Sequence, residues 1–327
     1  MNYEKRYYLR YPLHYSLILK ILEDNKKEKV NFFIDFNSIC KGFYKAETIL
    51  YEIGEYGEHG EPSGKLILEL KDFLNNLYKI FKKYDPYFLL FFDSGRCAQC
   101  KEINSTYKSG RNIANNIPGE DPVMTDLFRK IRDYYYNRVV ADFTKEDLCY
   151  VHYDKMYETD CVPHYCARND LFDSMQPEVL NIILSLDKDL LQTTKFRGQF
   201  LQAVTTFKAN KLKGKYDLVM NIYDDRNAIS YLYDKFQPGI LTAKYIPMIL
   251  SLAGDKSDDI LGIPGIGYVK AIKLIEKNGI PWDITSIKRD LKTMPKIIQD
   301  NIDRIIQNYK IIDFDEQIKR LPRSFLK

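Results

Sequence analysis

No run in this sequence approaches the ~18 consecutive apolar residues that a membrane-spanning helix needs. The first thirty residues also lack a small-residue cleavage site behind an apolar core, so neither an anchor nor a secretory leader is expected. Glycine and proline are scarce, 16 and 13 in 327 residues, which excludes fibrous and low-complexity architectures. Tryptophan occurs once. Six cysteines in a chain of this length make no disulfide framework, and a reducing, cytoplasmic setting is expected, with the cysteines as thiols or metal ligands. An excess of charge of one sign is missing too: 49 Lys and Arg stand against 45 Asp and Glu, and a net charge of +4 does not by itself announce a nucleic-acid binder. What is present is 45% apolar and 29% charged residues, enough for a real core in two domains, or in one large α/β domain with an appended module.

Residues 30–35 (VNFFID) and 87–93 (YFLLFFD) are short apolar runs that end in an acid, the pattern of buried strands. Between them the helical period Leu66, Leu68, Leu70, Phe73, Leu74, Leu77, Phe81 makes a strand, helix, strand unit. Residues 178–187 (EVLNIILSLD) form a third such run and residues 147–153 a fourth strand. The alternation predicts a mostly parallel sheet with helices on both faces. Residues 94–120 are polar and Gly-rich and read as a loop or loosely helical excursion. Positive charge is locally concentrated at residues 190–216, which hold six basic residues and no acid, and at residues 260–327, with 13 basic against 8 acidic residues. From Ala243 onward the pattern is helical, interrupted by Gly262-Ile263-Pro264-Gly265-Ile266-Gly267.

Asp35, Asp93 and Asp187 end three apolar runs and would converge on one rim of a parallel sheet, where ligands of such sheets sit. A single strand-end Asp is usually a helix cap. Three together, joined by Asp189 and by the run Asp255-Lys256-Ser257-Asp258-Asp259, repel one another unless a cation neutralises them. All-oxygen sites of this kind select Mg²⁺ or Mn²⁺, and paired ions of that kind cut phosphodiesters. The glycines of residues 262–267 leave backbone amides open beside a helix start, where a phosphate, or a monovalent cation bridging to one, can approach. A plain helix-turn-helix corner is the alternative. Lys270 and Lys273 favour phosphate.

In order, Ile34-Asp35-Phe36-Asn37, Phe92-Asp93, Tyr107-Lys108-Ser109-Gly110-Arg111, Ser185-Leu186-Asp187-Lys188-Asp189-Leu190, Gly254-Asp255-Lys256-Ser257-Asp258 and the glycine turn resemble the 5′-nuclease superfamily of flap endonucleases and 5′–3′ exonucleases. Within it, the N-terminal stretch and the tail Asn308–Asp315 look most like the ribonuclease H of T-even-type bacteriophages. The resemblance implies a PIN-like core at residues 30–240 behind an N-terminal extension (residues 1–29). Residues 94–120 would be an arch, and residues 241–327 a helix-three-turn-helix region that grips duplex backbone through Gly262, Gly265, Gly267, Lys270 and Lys273. It makes Asp35, Asp93, Asp187, Asp189, Asp255 and Asp258 ligands of two Mg²⁺ or Mn²⁺ ions, and it puts Tyr107, Lys108 and Arg111 at the scissile phosphate. K⁺ at the glycine turn is a further expectation. The implied substrates are 5′-flap or nicked duplex DNA and RNA–DNA hybrids, in primer removal during DNA replication. The implied partners are replication proteins such as a single-stranded-DNA-binding protein, with no membrane and a monomeric chain.

The family's Glu-Ala-Asp-Asp tetrad, at the start of the helix before the third strand, has Ala167-Arg168-Asn169-Asp170 as its counterpart. That adds Asp170 to the ligands and leaves the Glu position to Ala167. Either Glu158 or Asp160 reaches in instead, or the tetrad falls elsewhere, or the first metal site is weakened. In that last case the chain is a catalytically impaired, structure-specific DNA-binding protein. A PIN-type ribonuclease is a further alternative. Cys97, Cys100, Cys161, His164 and Cys166 contain metal-ligand types, but the second group is irregularly spaced, so reduced thiols without a shared role are expected in preference to zinc.

Overall fold

Every residue from Val30 to Asp35 is buried, and so is every residue from Val179 to Leu184, a burial that only a sheet covered on both faces provides. The structure is a computed structural model that describes residues 11–38, 64–93, 97–109, 149–154, 156–210, 215–236 and 241–326. Six strands, β1 (Lys29–Asp35), β2 (Pro86–Asp93), β3 (Cys149–Asp154), β4 (Val179–Leu184), β5 (Phe200–Asn210) and β6 (Lys215–Tyr223), form one sheet in the order β3-β2-β1-β4-β5-β6. Strands β1 to β5 are parallel and β6 returns antiparallel to β5. A two-stranded ribbon, β7 (Gly254–Asp255) with β8 (Ile260–Leu261), stands apart from it. The described helices are α1 (Tyr11–Asp24), α2 (Gly64–Phe81), α3 (Ala98–Ile103), α4 (Val162–Asn169), α5 (Ile246–Ala253), α6 (Tyr268–Asn278), α7 (Ile284–Arg289), α8 (Lys296–Gln299), α9 (Ile302–Ile312) and α10 (Phe314–Ile318). None of them is long and apolar enough to cross a membrane.

Alternation along β1 sends Phe32 and Ile34 to one face and Phe33 to the other. Phe32, Leu90 and Ile182 pack against Ile18 and Leu22 of α1 and Leu77 and Phe81 of α2. Phe33, Leu89 and Phe91 pack against Val162 and Cys166 of α4 and against Phe314 and Phe325. Helix α1, within the stretch that the resemblance makes an extension, is thus one of the covering layers. The β5–β6 hairpin is likewise absent from the sequence reading. Residues 200–210 (FLQAVTTFKAN) show no clean apolar alternation, so no strand period marks them.

The register matches Ile34 to Leu184 and Asp35 to Phe91, so the residues that follow β1, β2 and β4 emerge along a single edge. Beyond the sheet, α5 is buried along most of its length and packs on α6 and α9. Asn308 ties α9 to this bundle, its Nδ2 donating to the Ser251 and Leu261 carbonyls at 3.0 and 2.9 Å.

The chain then returns to the sheet. Asp315 accepts hydrogen bonds from Arg168 Nε (2.7 Å) and Lys195 Nζ (2.6 Å), and His164 Nε2 lies 3.1 Å from its Oδ1. Burial pushes the His164 imidazole down to about 4, so the folded protein holds it neutral. An unfolded chain takes up that proton near its ordinary value of about 6.5. The contribution is therefore present above that value and falls as the pH drops toward 4. Between pH 7 and pH 5 the loss should be about 2 kcal/mol. Urea unfolding of the wild type and of His164→Gln at both pH values checks this, since the variant should lose correspondingly less on acidification.

Candidate active site

Asp35 closes β1 and is nearly buried. Its Oδ1 accepts from the Ser38 amide (3.0 Å) and its Oδ2 from Ser185 Oγ (2.6 Å). Ser185 follows β4, and its hydroxyl oxygen also accepts from the Asp187 amide (2.9 Å). Asp187 Oδ1 in turn accepts from the Asp189 amide (2.9 Å). These short links run from the end of one strand to the loop after its neighbour, and they hold the Asp35 and Asp187 carboxylates in fixed directions. Asp93 ends β2 on the same rim by register, beside Asp154 of β3, while its side chain lies outside the described residues.

The ribbon brings in the other acids. Carboxylate oxygens of Asp189, Asp255 and Asp258 lie within 4.8 Å of one another. Burial and the neighbouring Asp187 push the Asp189 carboxyl well above the usual range. Its Oδ1 is buried without a hydrogen-bond partner, and an oxygen of that kind is one a divalent cation can coordinate. The oxygen-only donor set fits a hard cation such as Mg²⁺ or Mn²⁺. Lys188 Nζ lies 2.6 Å from Asp255 Oδ2 and 3.9 Å from Asp189 Oδ1. Burial alone would raise Asp255, but Lys188 outweighs it and holds the carboxyl below its ordinary value.

Facing this cluster is the turn after α3. Lys108 Nζ lies 2.8 and 2.7 Å from the two carboxylate oxygens of Glu158 and 3.9 Å from Asp258 Oδ2. Lys108 and Glu158 are each 4% exposed. Tyr107 OH donates to Glu158 Oε1 at 3.0 Å and lies 3.2 Å from Asp258 Oδ2. The Lys108 amide donates to the Asp258 carbonyl (2.9 Å), which fastens the turn to the ribbon. Lys108 adopts φ 50°, a left-handed conformation uncommon for a side chain of this size and often found at functional positions. Glu158 is aimed by Asp154 at the end of β3, whose Oδ1 accepts from the Met156 and Tyr157 amides at 2.6 and 2.9 Å and turns the chain back. Beside these groups lies a cavity of about 350 Å³, lined among others by Asp35, Asp160, Asp187, Lys108, Lys188 and Ser257.

Several sequence expectations end elsewhere. Asp170 is corrected as a site residue: it terminates α4 at the opposite edge of the sheet, where its carboxylate accepts from the Met175 amide (2.8 Å) and Gln176 Nε2 (2.6 Å). Helix α4 begins at the rim and runs away from it, so the residues just before it, Glu158 and Asp160, are the ones near the acids. Arg111 lies outside the described residues, as does the second half of the stretch expected to form an arch. Of the five metal-ligand residues among residues 97–166, His164 and Cys166 leave the group, while the Cys161 thiol donates to the Glu158 carbonyl at 3.3 Å. His164 turns to Asp315 and Thr193, Cys166 is buried in the apolar layer under the sheet, and Cys97 and Cys100 sit beside Glu158.

The glycine turn adjoins the ribbon. A Cβ on Gly262 would lie 2.2 Å from the Ala253 carbonyl carbon, so only glycine lets the two backbones cross there. Gly265 has φ +76°, its carbonyl accepts from Lys270 Nζ (2.9 Å), and Gly267 caps α6. Gly265, Gly267, Lys270 and Lys273 are exposed, beside Leu261 at 70%.

No protein-family model and no curated protein matches the sequence. Solved structures do match. A structure of divalent metal ions (zinc) bound to the T5 5′-exonuclease aligns with a TM-score of 0.63 at 13% identity, over 89% of this chain and 91% of that one. A pseudo-enzyme–product complex of the bacteriophage T5 flap endonuclease with DNA and metal ions gives 0.60 at 13% identity over the same shares. The T5 protein co-crystallised with metal ions gives 0.57 at 14%, again over 89% and 91%. The chain therefore has the PIN-like 5′-nuclease fold.

Proposed function

We propose that this chain is a divalent-metal-dependent 5′-nuclease that cuts phosphodiesters near 5′ ends of flapped or nicked duplex DNA and of RNA–DNA hybrids, with primer removal during replication as its setting. The observation that carries this reading is a cavity lined by Asp35, Asp160 and Asp187 together with Lys108 and Lys188, beside the mutual cluster of Asp189, Asp255 and Asp258. The fold shared with nucleases that bind metal and DNA supports it. Ribonuclease H activity and a single-stranded-DNA-binding partner belong to the same proposal.

A divalent ion held by Asp189, Asp255 and Asp258 would supply Lewis acidity and a more acidic bound water. The chain's own groups account for the rest. The Asp35 carboxylate is oriented by Ser38 and Ser185 and the Asp187 carboxylate by the Asp189 amide, so each offers an oxygen in a fixed direction. Lys108 carries positive charge to the edge of the cavity, where it would face a scissile phosphate. The exposed Gly265 and Gly267, with Lys270 and Lys273, would hold duplex backbone without reading bases. Within the family's tetrad, we assign Glu158-Thr159-Asp160-Cys161, which immediately precedes α4, in place of Ala167-Arg168-Asn169-Asp170. That puts an acid at the Glu position, while Cys161 stands where the family has its last Asp.

The test is cleavage of a 5′-labelled flap and of an RNA-primed duplex with Mg²⁺ or Mn²⁺. Tight binding without cleavage in either ion would instead favour the DNA-binding reading.

Lys188 gives a separate prediction about the metal. Its ammonium competes electrostatically for the oxygens a cation would use, so Lys188→Met should bind Mn²⁺ roughly tenfold more tightly, equivalent to about 1.4 kcal/mol. Mn²⁺ titration followed by electron paramagnetic resonance measures this directly. Unchanged or weaker binding would mean that Lys188 does not oppose the ion.

A further inference from the structure

Next to the oxygen cluster lies a second group of donors with different chemistry. The Sγ atoms of Cys97 and Cys100 and a carboxylate oxygen of Glu158 lie within 4.8 Å of one another, and all three residues are buried. Cys97 immediately precedes α3 and Cys100 lies in its first turn, so the i, i+3 spacing puts both sulfurs on one side. The Cys100 amide donates to Cys97 Sγ at 3.2 Å, which fixes that sulfur in place. Glu158 arrives from the turn set by Asp154, and Cys161, one turn further on, donates its thiol to the Glu158 carbonyl at 3.3 Å.

Buried cysteines that serve only as small apolar side chains have no use for a carboxylate beside them. Here Glu158 faces both sulfurs while its oxygens also bond Lys108 and Tyr107. Two sulfurs and one oxygen form a borderline-soft donor set, which selects zinc over the hard ions suited to Asp189, Asp255 and Asp258.

We infer that Cys97, Cys100 and Glu158 form a thiophilic metal site for Zn²⁺, separate from the carboxylate cluster and joined to it through the Glu158–Lys108 pair. Both thiols lose their protons to solvent when the ion binds, and no oxidant or reductant is involved. The sequence groups the two cysteines with Cys161, His164 and Cys166 and favours reduced thiols over zinc. The fold sends His164 and Cys166 elsewhere and puts the Glu158 carboxylate beside the pair. Occupancy would draw Glu158 charge toward the ion and loosen its hold on Lys108, which links this site to the cavity without placing the ion there.

The test uses the full-length reduced protein, stripped of metal and titrated with Co²⁺ in excess Mg²⁺. About one equivalent should bind and produce a sulfur-to-cobalt charge-transfer absorption, which carboxylate ligands cannot give. Protein purified without chelator should carry about one zinc per chain by elemental analysis. Cys97→Ser and Cys100→Ser, checked for folding by circular dichroism, should lose the absorption. Asp187→Ala should keep it, so this inference and the nuclease proposal fail separately. No such absorption from folded, reduced wild type would overturn the site, and so would its persistence in folded Cys97→Ser.

Discussion

Asp187→Ala should slow Mg²⁺-dependent cleavage of a 5′-labelled flap by roughly 10³-fold, about 4 kcal/mol of transition-state stabilisation. The side chain lines the cavity, and its Oδ1 accepts from the Asp189 amide at 2.9 Å, so its loss removes one acid and unfastens a second. The fold should survive. Asp187 is among the groups that push the Asp189 carboxyl up, and removing a like charge from a crowded acid cluster relieves repulsion. The melting temperature without metal should therefore be unchanged or higher. Single-turnover cleavage together with a thermal melt separates the two effects. Wild-type cleavage by the variant would sink the role assigned to this rim.

Lys108→Met should lower both stability and activity, for different reasons. The Lys108–Glu158 pair is 4% exposed on each side at 2.7 Å. Removing one partner of a buried pair strands the other charge, at a cost of about 3–5 kcal/mol. Glu158 retains Tyr107 as a donor, which places the expected loss toward the lower end of that range. Lys108→Met with Glu158→Gln should recover most of the stability, because no buried charge is then left unpaired. Cleavage should stay roughly 10²-fold or more below wild type in both variants, since neither brings positive charge to the phosphate. Urea unfolding and single-turnover rates are the measurements. If the single variant unfolds within ~0.5 kcal/mol of wild type, a surface-like pair is indicated and the buried-pair account fails.

The strands and the acids at their ends are legible in the sequence because a parallel strand covered on both faces must be an apolar run, and the polar residue closing it lies at the rim. Asp35 and Asp187 follow from that reasoning. The glycine turn is legible for a related reason: Gly262 faces the Ala253 and Gly254 backbones at distances that no side chain permits. The β5–β6 hairpin escapes because residues 200–210 show no clean alternation. Asp170 is misplaced by sequence reasoning because α4 cannot be positioned from eight residues without a clear period. Once the helix is seen to start at Val162, its far end carries Asp170 away from the acids while its near end brings Glu158 toward them.

The near balance of 49 bases and 45 acids acquires a spatial meaning from this. Chain order and hydrophobic period determine which residues end strands, since those are local consequences of burial and backbone geometry. They leave undetermined which loop side chains meet, because that depends on where each helix begins and which way its neighbour turns. Tertiary structure alone set Lys108 against Glu158, placed Lys188 between Asp189 and Asp255, and brought Cys97 and Cys100 to Glu158. Apart from Lys188 with its neighbour Asp189, these pairings join residues distant in sequence, and their energies exist only after the sheet, the ribbon and the turn after α3 have packed together.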